Sequence, residues 1–264
     1  MSTGTYVYCL VASARRPSLA RVPAGLPGLG RPRVLDVDVR GNGTALSRYL
    51  IVADAPLNRY GEDVINRRLS DLEWVAQAAV AHEAVIESFV KAPAVLPMKL
   101  FTIFSSDERA VDHMRADARR IDAVIRRVAN RLEWGVRVVL TAAAAAAART
   151  RTPSQGGSVT SGKSFLMRKK AHRDASRELS LHARDTMEVL YERLAGKAAD
   201  AKRRTSAELP VKAGPLLLDA AFLVPVSKST HFRAAVQREA RTLGRSGYHV
   251  TLTGPWPPYT FVQG

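Results

Sequence analysis

One cysteine in 264 residues, Cys9, leaves no internal disulfide and no cysteine-based zinc site within the chain. Its neighbours Tyr6 to Ala12 are apolar, so a buried, inert thiol is the expected role. Aromatic residues are also few, at 6%, and the basic stretches hold only isolated rings such as Phe165 and Tyr191. A base-stacking nucleic-acid surface needs rings interleaved with its cations, and none is laid out here. Acidic charge is the third shortage. There are 24 Asp and Glu against 40 Lys and Arg, a net charge of +16, which favours acidic partners but does not select one. No apolar run approaches the roughly 20 residues of a membrane span. The opening Met1-Ser2-Thr3-Gly4 lacks the basic start and apolar core of a secretory signal, so a soluble, cytoplasmic protein without membrane partners is expected.

The remaining chain alternates strand and helix signals. Tyr6 to Val11, Val34 to Val39 and Tyr49 to Ala53 read as strands, with a turn at Gly41-Asn42-Gly43. Pro17 to Pro32 holds four prolines and three glycines and reads as loop. A helix is expected from about Leu72 to Val90, with Leu72, Val75, Ala79, Ile86 and Phe89 on its core face. Val95 to Phe101 reads as an extended segment that Pro97 confines to an edge or bulge. A second helix starts at Ser106, an N-cap, and carries Val111, Met114, Ala118, Ile121, Ile125, Val128 and Leu132 as its apolar stripe.

Trp134 to Leu140 reads as a strand, followed by the Ala142–Ala148 tract and a polar loop. A long basic helix, about 164–204, is expected next, with Gly196 able to break it. Leu216 to Val224 is strand-like, Thr230 to Leu243 helical with Gly244 as C′ residue, and Tyr248 to Thr253 a last strand. This order predicts an α+β protein of two small sandwich domains, 1–132 and 133–264, with helices on one face of a mixed sheet. The second domain resembles a ferredoxin-like plan short of one strand.

Four features invite a functional reading. Gly157 to Ser164 matches a phosphate-binding loop, with Gly157, Gly162, Lys163 and Ser164 in the key places and Asp219 as a stand-in magnesium acid. Such a loop must leave a buried strand directly, yet a polyalanine tract and Arg149–Gly156 intervene, so the match is read as a decoy and no cofactor is expected. The six histidines are scattered without metal-ligand spacing. Lys99 and the run Arg168-Lys169-Lys170 are candidate docking cations for an acidic partner. Finally, Gly254-Pro255-Trp256-Pro257-Pro258-Tyr259 is a stiff element with three prolines. It reads as a clasp, 254–262, closing the second domain with Trp256 and Tyr259 as packing groups, with a polyproline-type ligand for another protein as the alternative.

An ordered set of segments resembles the gas vesicle protein GvpL/GvpF family. These are Tyr6-Val7-Tyr8, His82-Glu83, Val95-Leu96-Pro97-Met98-Lys99, Leu132 to Val138, Ser161-Gly162 with Phe165-Leu166, and Gly254 to Val262. In that register Lys163-Ser164 falls between family positions by chance. The chain departs from the pattern at Lys99-Leu100, where members carry an Arg-Phe pair, and at Phe101, where many have glycine. The resemblance implies a two-domain α+β accessory protein of gas vesicle assembly, without catalytic residues, that associates with the very hydrophobic shell protein and fellow accessory proteins. Nucleotide hydrolysis and nucleic-acid binding are the alternatives weighed against it.

Overall fold

The apolar run near the start of the chain becomes the centre of a sheet. In the computed structural model, which describes residues 2–37, 46–141, 177, 181–204 and 215–262, β1 spans Thr3–Ser13. Strands β2 (Arg33–Asp36), β3 (Ser47–Pro56) and β4 (Ala94–Pro97) join it in the order β2-β3-β1-β4, with β5 (Ile103–Phe104) also on β1. All these pairings are antiparallel. Every residue from Gly4 to Ala12 is buried, so both faces of β1 are covered. The turn at Gly41-Asn42-Gly43, the phosphate-loop look-alike Gly157, Gly162, Lys163 and Ser164, and the cations Arg168, Lys169 and Lys170 lie outside the described residues.

Two compact units result, Met1–Glu133 with Pro255–Gly264, and Trp134–Gly254. In the first, short helices α1 (Leu57–Tyr60) and α2 (Glu62–Arg68) lead to α3 (Leu72–Glu87), whose N-cap Asp71 accepts from the Trp74 N–H at 3.0 Å. The core face of α3 is Ala78, His82, Val85 and Ile86. Leu72, expected on that face, points to solvent. A count restricted to apolar residues passes over His82, and this displaces the inferred stripe around the helix. The expected second helix divides at Asp117 into α4 (Asp107–Ala116) and α5 (Ala118–Val128), while Leu132 falls in the next strand. Ser106 caps α4 through the Arg109 N–H at 3.3 Å.

The second unit is built on β6 (Arg131–Leu140), helix α6 over 181–195, β7 (Asp200–Arg203), β8 (Leu216–Pro225), α7 (Ser229–Gly244) and β9 (Tyr248–Trp256). This is a βαββαβ order with sheet sequence β7-β8-β6-β9, the split ferredoxin-like arrangement with its full set of strands. Strand β7 falls where the sequence predicts the end of the long helix. Among the described residues, Asp200-Ala201-Lys202-Arg203 pairs with β8 and lies at the sheet edge. An edge strand needs no apolar alternation, and charge there discourages further pairing. Helix α6 stops before Gly196, as expected. At the end of α7, Gly244 is still helical, and the left-handed turn falls on Gly247 at φ 83°. Its core joins Trp134, Phe222 and Phe232 to Met187, Leu190 and Leu194 of α6. Asp219 is 5% exposed and held by Arg137 at 3.0 Å and Arg204 at 3.4 Å. The acid that a magnesium site would need is therefore occupied by two guanidinium groups.

The Gly254–Tyr259 run departs from its expected place. From Pro255 onward it belongs to the first unit, not the second. Trp256 is 37% exposed, while Pro257, Pro258 and Phe261 are buried. The short helix α8 (Tyr259–Val262) and Tyr259 itself pack on the first unit's core.

Candidate functional site

A loop on the first unit is fixed from three sides. Strand β1 pairs with β4 over Cys9 to Ala12 and with β5 over Thr5 and Tyr6. Between those pairings β1 carries a bulge at Tyr8, and Met98–Thr102 loops out opposite it. One end of the loop is tied by the Met98 N–H donating to the Tyr8 carbonyl at 2.9 Å, the other by the Val7 N–H donating to the Thr102 carbonyl at 2.9 Å.

His82 supplies the third fixing point. Its Nε2 lies 3.1 Å from the Met98 carbonyl and its Nδ1 2.7 Å from the Tyr6 hydroxyl. A carbonyl only accepts, so Nε2 carries the proton and Nδ1 accepts from Tyr6. The Tyr6 oxygen in turn accepts from the Phe101 N–H at 3.3 Å. Burial, against a weaker opposing pull from the Met98 carbonyl, holds the imidazole pKa below its usual range. Burial likewise pushes the Tyr8 phenol up to about 12. The Tyr8 ring stacks on His82 at 5.5 Å, and its hydroxyl accepts from the Leu26 N–H at 3.2 Å. Gly25 sits under that hydroxyl at φ 80°, where a Cβ would fall 2.0 Å from the oxygen.

Phe101 closes the loop in a left-handed conformation, φ 63°, which costs a non-glycine residue about 1–2 kcal/mol. A glycine at this position would carry no such cost. Here the ring is recruited instead. It stacks on Trp74 at 4.9 Å and 7° between planes, and Arg68 lies 4.3 Å from the other aromatic partner's centroid.

The loop forms one wall of a cleft of about 320 Å³. Leu96, Met98, Phe104, Met114, Val124 and Val262 give it an apolar lining. Lys99 is exposed at it and forms no ion pair among the described residues. Arg120 is engaged by Asp117 at 2.6 Å, and this bond, with the charge behind it, holds the Asp117 carboxyl below the usual range. The cleft is thus a partly apolar slot, with two methionines, at which Lys99 stands without an ion pair among the described residues.

Of the candidate docking cations, only Lys99 lies among the described residues. His82, set aside in sequence for want of a second metal ligand, is the residue whose role was missed. Among the described residues, no group of three or more His, Cys, Asp or Glu is placed to hold a metal. Sequence offered one usable signal: a histidine in register with the buried face of α3.

Comparison with known proteins covers nearly the whole chain. A family model described as gas vesicle synthesis protein GvpL/GvpF matches residues 4–263. The chain is 30% identical to gas vesicle protein L of Streptomyces sp. (strain CB03234), over 99% of this chain and 94% of that protein. Its fold is similar to the crystal structure of the gas vesicle protein GvpF from Anabaena sp. PCC7120, with TM-score 0.69 and 16% identity, covering 100% of this chain and 99% of the other. It is also similar to that of GvpF from Microcystis aeruginosa, with TM-score 0.65 and 14% identity over 99% of each chain.

Proposed function

The chain belongs to the gas vesicle synthesis protein GvpL/GvpF family, and from that premise we propose that it is a non-enzymatic accessory protein that binds the hydrophobic shell protein during vesicle assembly. The observation that carries this reading is the pinned Met98–Thr102 loop, which presents Lys99 beside an apolar slot. A shell subunit prone to self-association needs its apolar surface covered until it polymerises. The slot has room for a few apolar side chains, and Lys99 selects a segment that also carries an acid. Rigid anchoring of the loop lowers the ordering cost of binding. The site of action is the cytoplasm at the growing vesicle. Among the described residues no helix is long and apolar enough to cross a membrane, which agrees with that place of action.

The test is replacement of the gene in a vesicle-forming host by Lys99→Glu. We expect few or deformed vesicles from a variant that is still folded and abundant. Normal vesicles with Lys99→Glu would remove the slot from the reading, and normal vesicles after deletion of the gene would remove the assembly role itself.

A further inference from the structure

Helix α3 exposes an apolar row on its outer face, which continues toward Glu83 and Glu87 beside Tyr259. Leu72 is 80% exposed and Val80 68% exposed, with exposed Ala76 between them at a spacing of four residues. Leu69, just ahead of the helix, adds a further apolar group at 48% exposure. Large apolar side chains aligned on a solvated helix gain nothing for the monomer, and the small Ala76 leaves a notch of the kind a neighbouring helix's ridge fills.

The charge on this face runs against the rest of the chain. From Leu69 to Val90 there is no Lys or Arg, although the whole chain carries 40. The same stretch contributes Asp71, Glu73, Glu83 and Glu87. Glu83 and Glu87 lie one turn apart, a like-charge spacing that destabilises a helix. Neither forms an ion pair among the described residues, and burial together with Glu83 raises the Glu87 carboxyl above its usual range. Arg68 and Lys91 flank the stretch without neutralising it, and Arg68 is committed to the Trp74 ring.

The geometry points to the outer face of α3 as a docking surface for an amphipathic helix whose apolar stripe is flanked by Lys or Arg. The apolar ridge Leu72–Ala76–Val80 takes the stripe, and Glu83 and Glu87 take the cations. Such a partner is of opposite charge preference to the one Lys99 selects, so the surface is a second one and does not depend on the assembly reading. A second copy of this chain is the competing occupant. The outward positions of its basic helix α5 are Arg119, Arg120, Ala123 and Arg126, which offer cations without an apolar stripe.

The full chain, titrated against a labelled synthetic helix with leucines on one face and lysines beside them, gives the measurement by fluorescence anisotropy. The double variant Leu72→Ser/Val80→Ser should weaken binding by about tenfold or more. Glu83→Lys/Glu87→Lys should weaken it similarly and gain affinity for the matching leucine–glutamate peptide. All four positions are surface-facing or half-buried, and circular dichroism checks that each variant is folded. Lys99→Glu should bind the lysine peptide as the parent does, which keeps a failure here separate from a failure of the slot. Equal affinity of parent and both double variants would overturn the proposal. So would a parent dimer in sedimentation velocity that Leu72→Ser/Val80→Ser dissociates, since the occupant would then be a second copy.

Discussion

The Glu133 carboxylate grips Thr260 twice, accepting from its backbone N–H at 2.7 Å and from its hydroxyl at 2.6 Å. The two residues are 127 positions apart, and Glu133 is buried. The carboxylate sits where α8 begins, a favourable place for an anion on an otherwise unpaired helix N–H. Glu133→Ala should lower the unfolding free energy of the first unit by about 2–3 kcal/mol, because a buried donor loses a charged acceptor. Urea denaturation checks this, and a change too small to resolve would mean that the bonds contribute nothing net.

Anchoring of the 255–262 segment rests on Phe261, 1% exposed, and not on Trp256. Phe261→Ala should cost about 3–5 kcal/mol, as for other fully buried rings. Trp256→Ala should cost less than about 1 kcal/mol, in keeping with a partly solvated side chain. Thermal melts of the two variants side by side decide the matter, and equal losses would contradict the assignment.

Phe101 gives a reversal of the usual order between alanine and glycine. Phe101→Ala forfeits the stack on Trp74 and keeps the positive φ, whereas Phe101→Gly forfeits the stack and removes the strain. The alanine variant should therefore be the less stable of the two by about 1 kcal/mol. Should glycine prove the worse, the loop does not hold residue 101 in the left-handed region.

Acid should loosen the first unit through His82. Its folded pKa lies below the ordinary value of 6.5, so the unfolded chain takes up the proton first. The stabilisation is fully present above pH 6.5 and is lost as pH falls from there toward the folded pKa. Protonation would also place a donor on Nδ1, so the Tyr6 hydroxyl, which donates there in the neutral state, would have to turn and accept. The urea midpoint should hold steady from mild alkali to neutrality and drop through the weakly acidic range. His82→Gln should flatten that drop, and an unchanged pH profile in this variant would assign the drop to other groups.

Local patterns made much of this architecture legible. The β1 run, the Ser106 cap, the edge position of Val95–Pro97 and the α7–β9 pair follow from periodicity and capping, since each is decided within a few residues of itself. What failed is decided at long range. β7 is a strand because β8 pairs with it, not because Asp200-Ala201-Lys202-Arg203 favours extension. The site was visible only as separate pieces. Tyr6-Val7-Tyr8, His82 and Val95–Lys99 could be singled out as segments, but that Tyr6, His82 and Met98 form one hydrogen-bonded chain is a property of the packed sheet and helix. Likewise Pro257 and Pro258 read as a clasp, yet no local rule says which unit they close.

The return of Pro255–Gly264 to the first unit carries a consequence for the order of events during synthesis. A ribosome makes all of Trp134–Gly254, a continuous stretch, before it makes the residues that finish the first unit. The unit begun first is completed second. Val262 is part of the cleft wall, so the slot beside Lys99 lacks that part of its wall in a nascent chain that has stalled anywhere in the second unit. On the proposed reading, binding through that slot waits until the chain has passed residue 262.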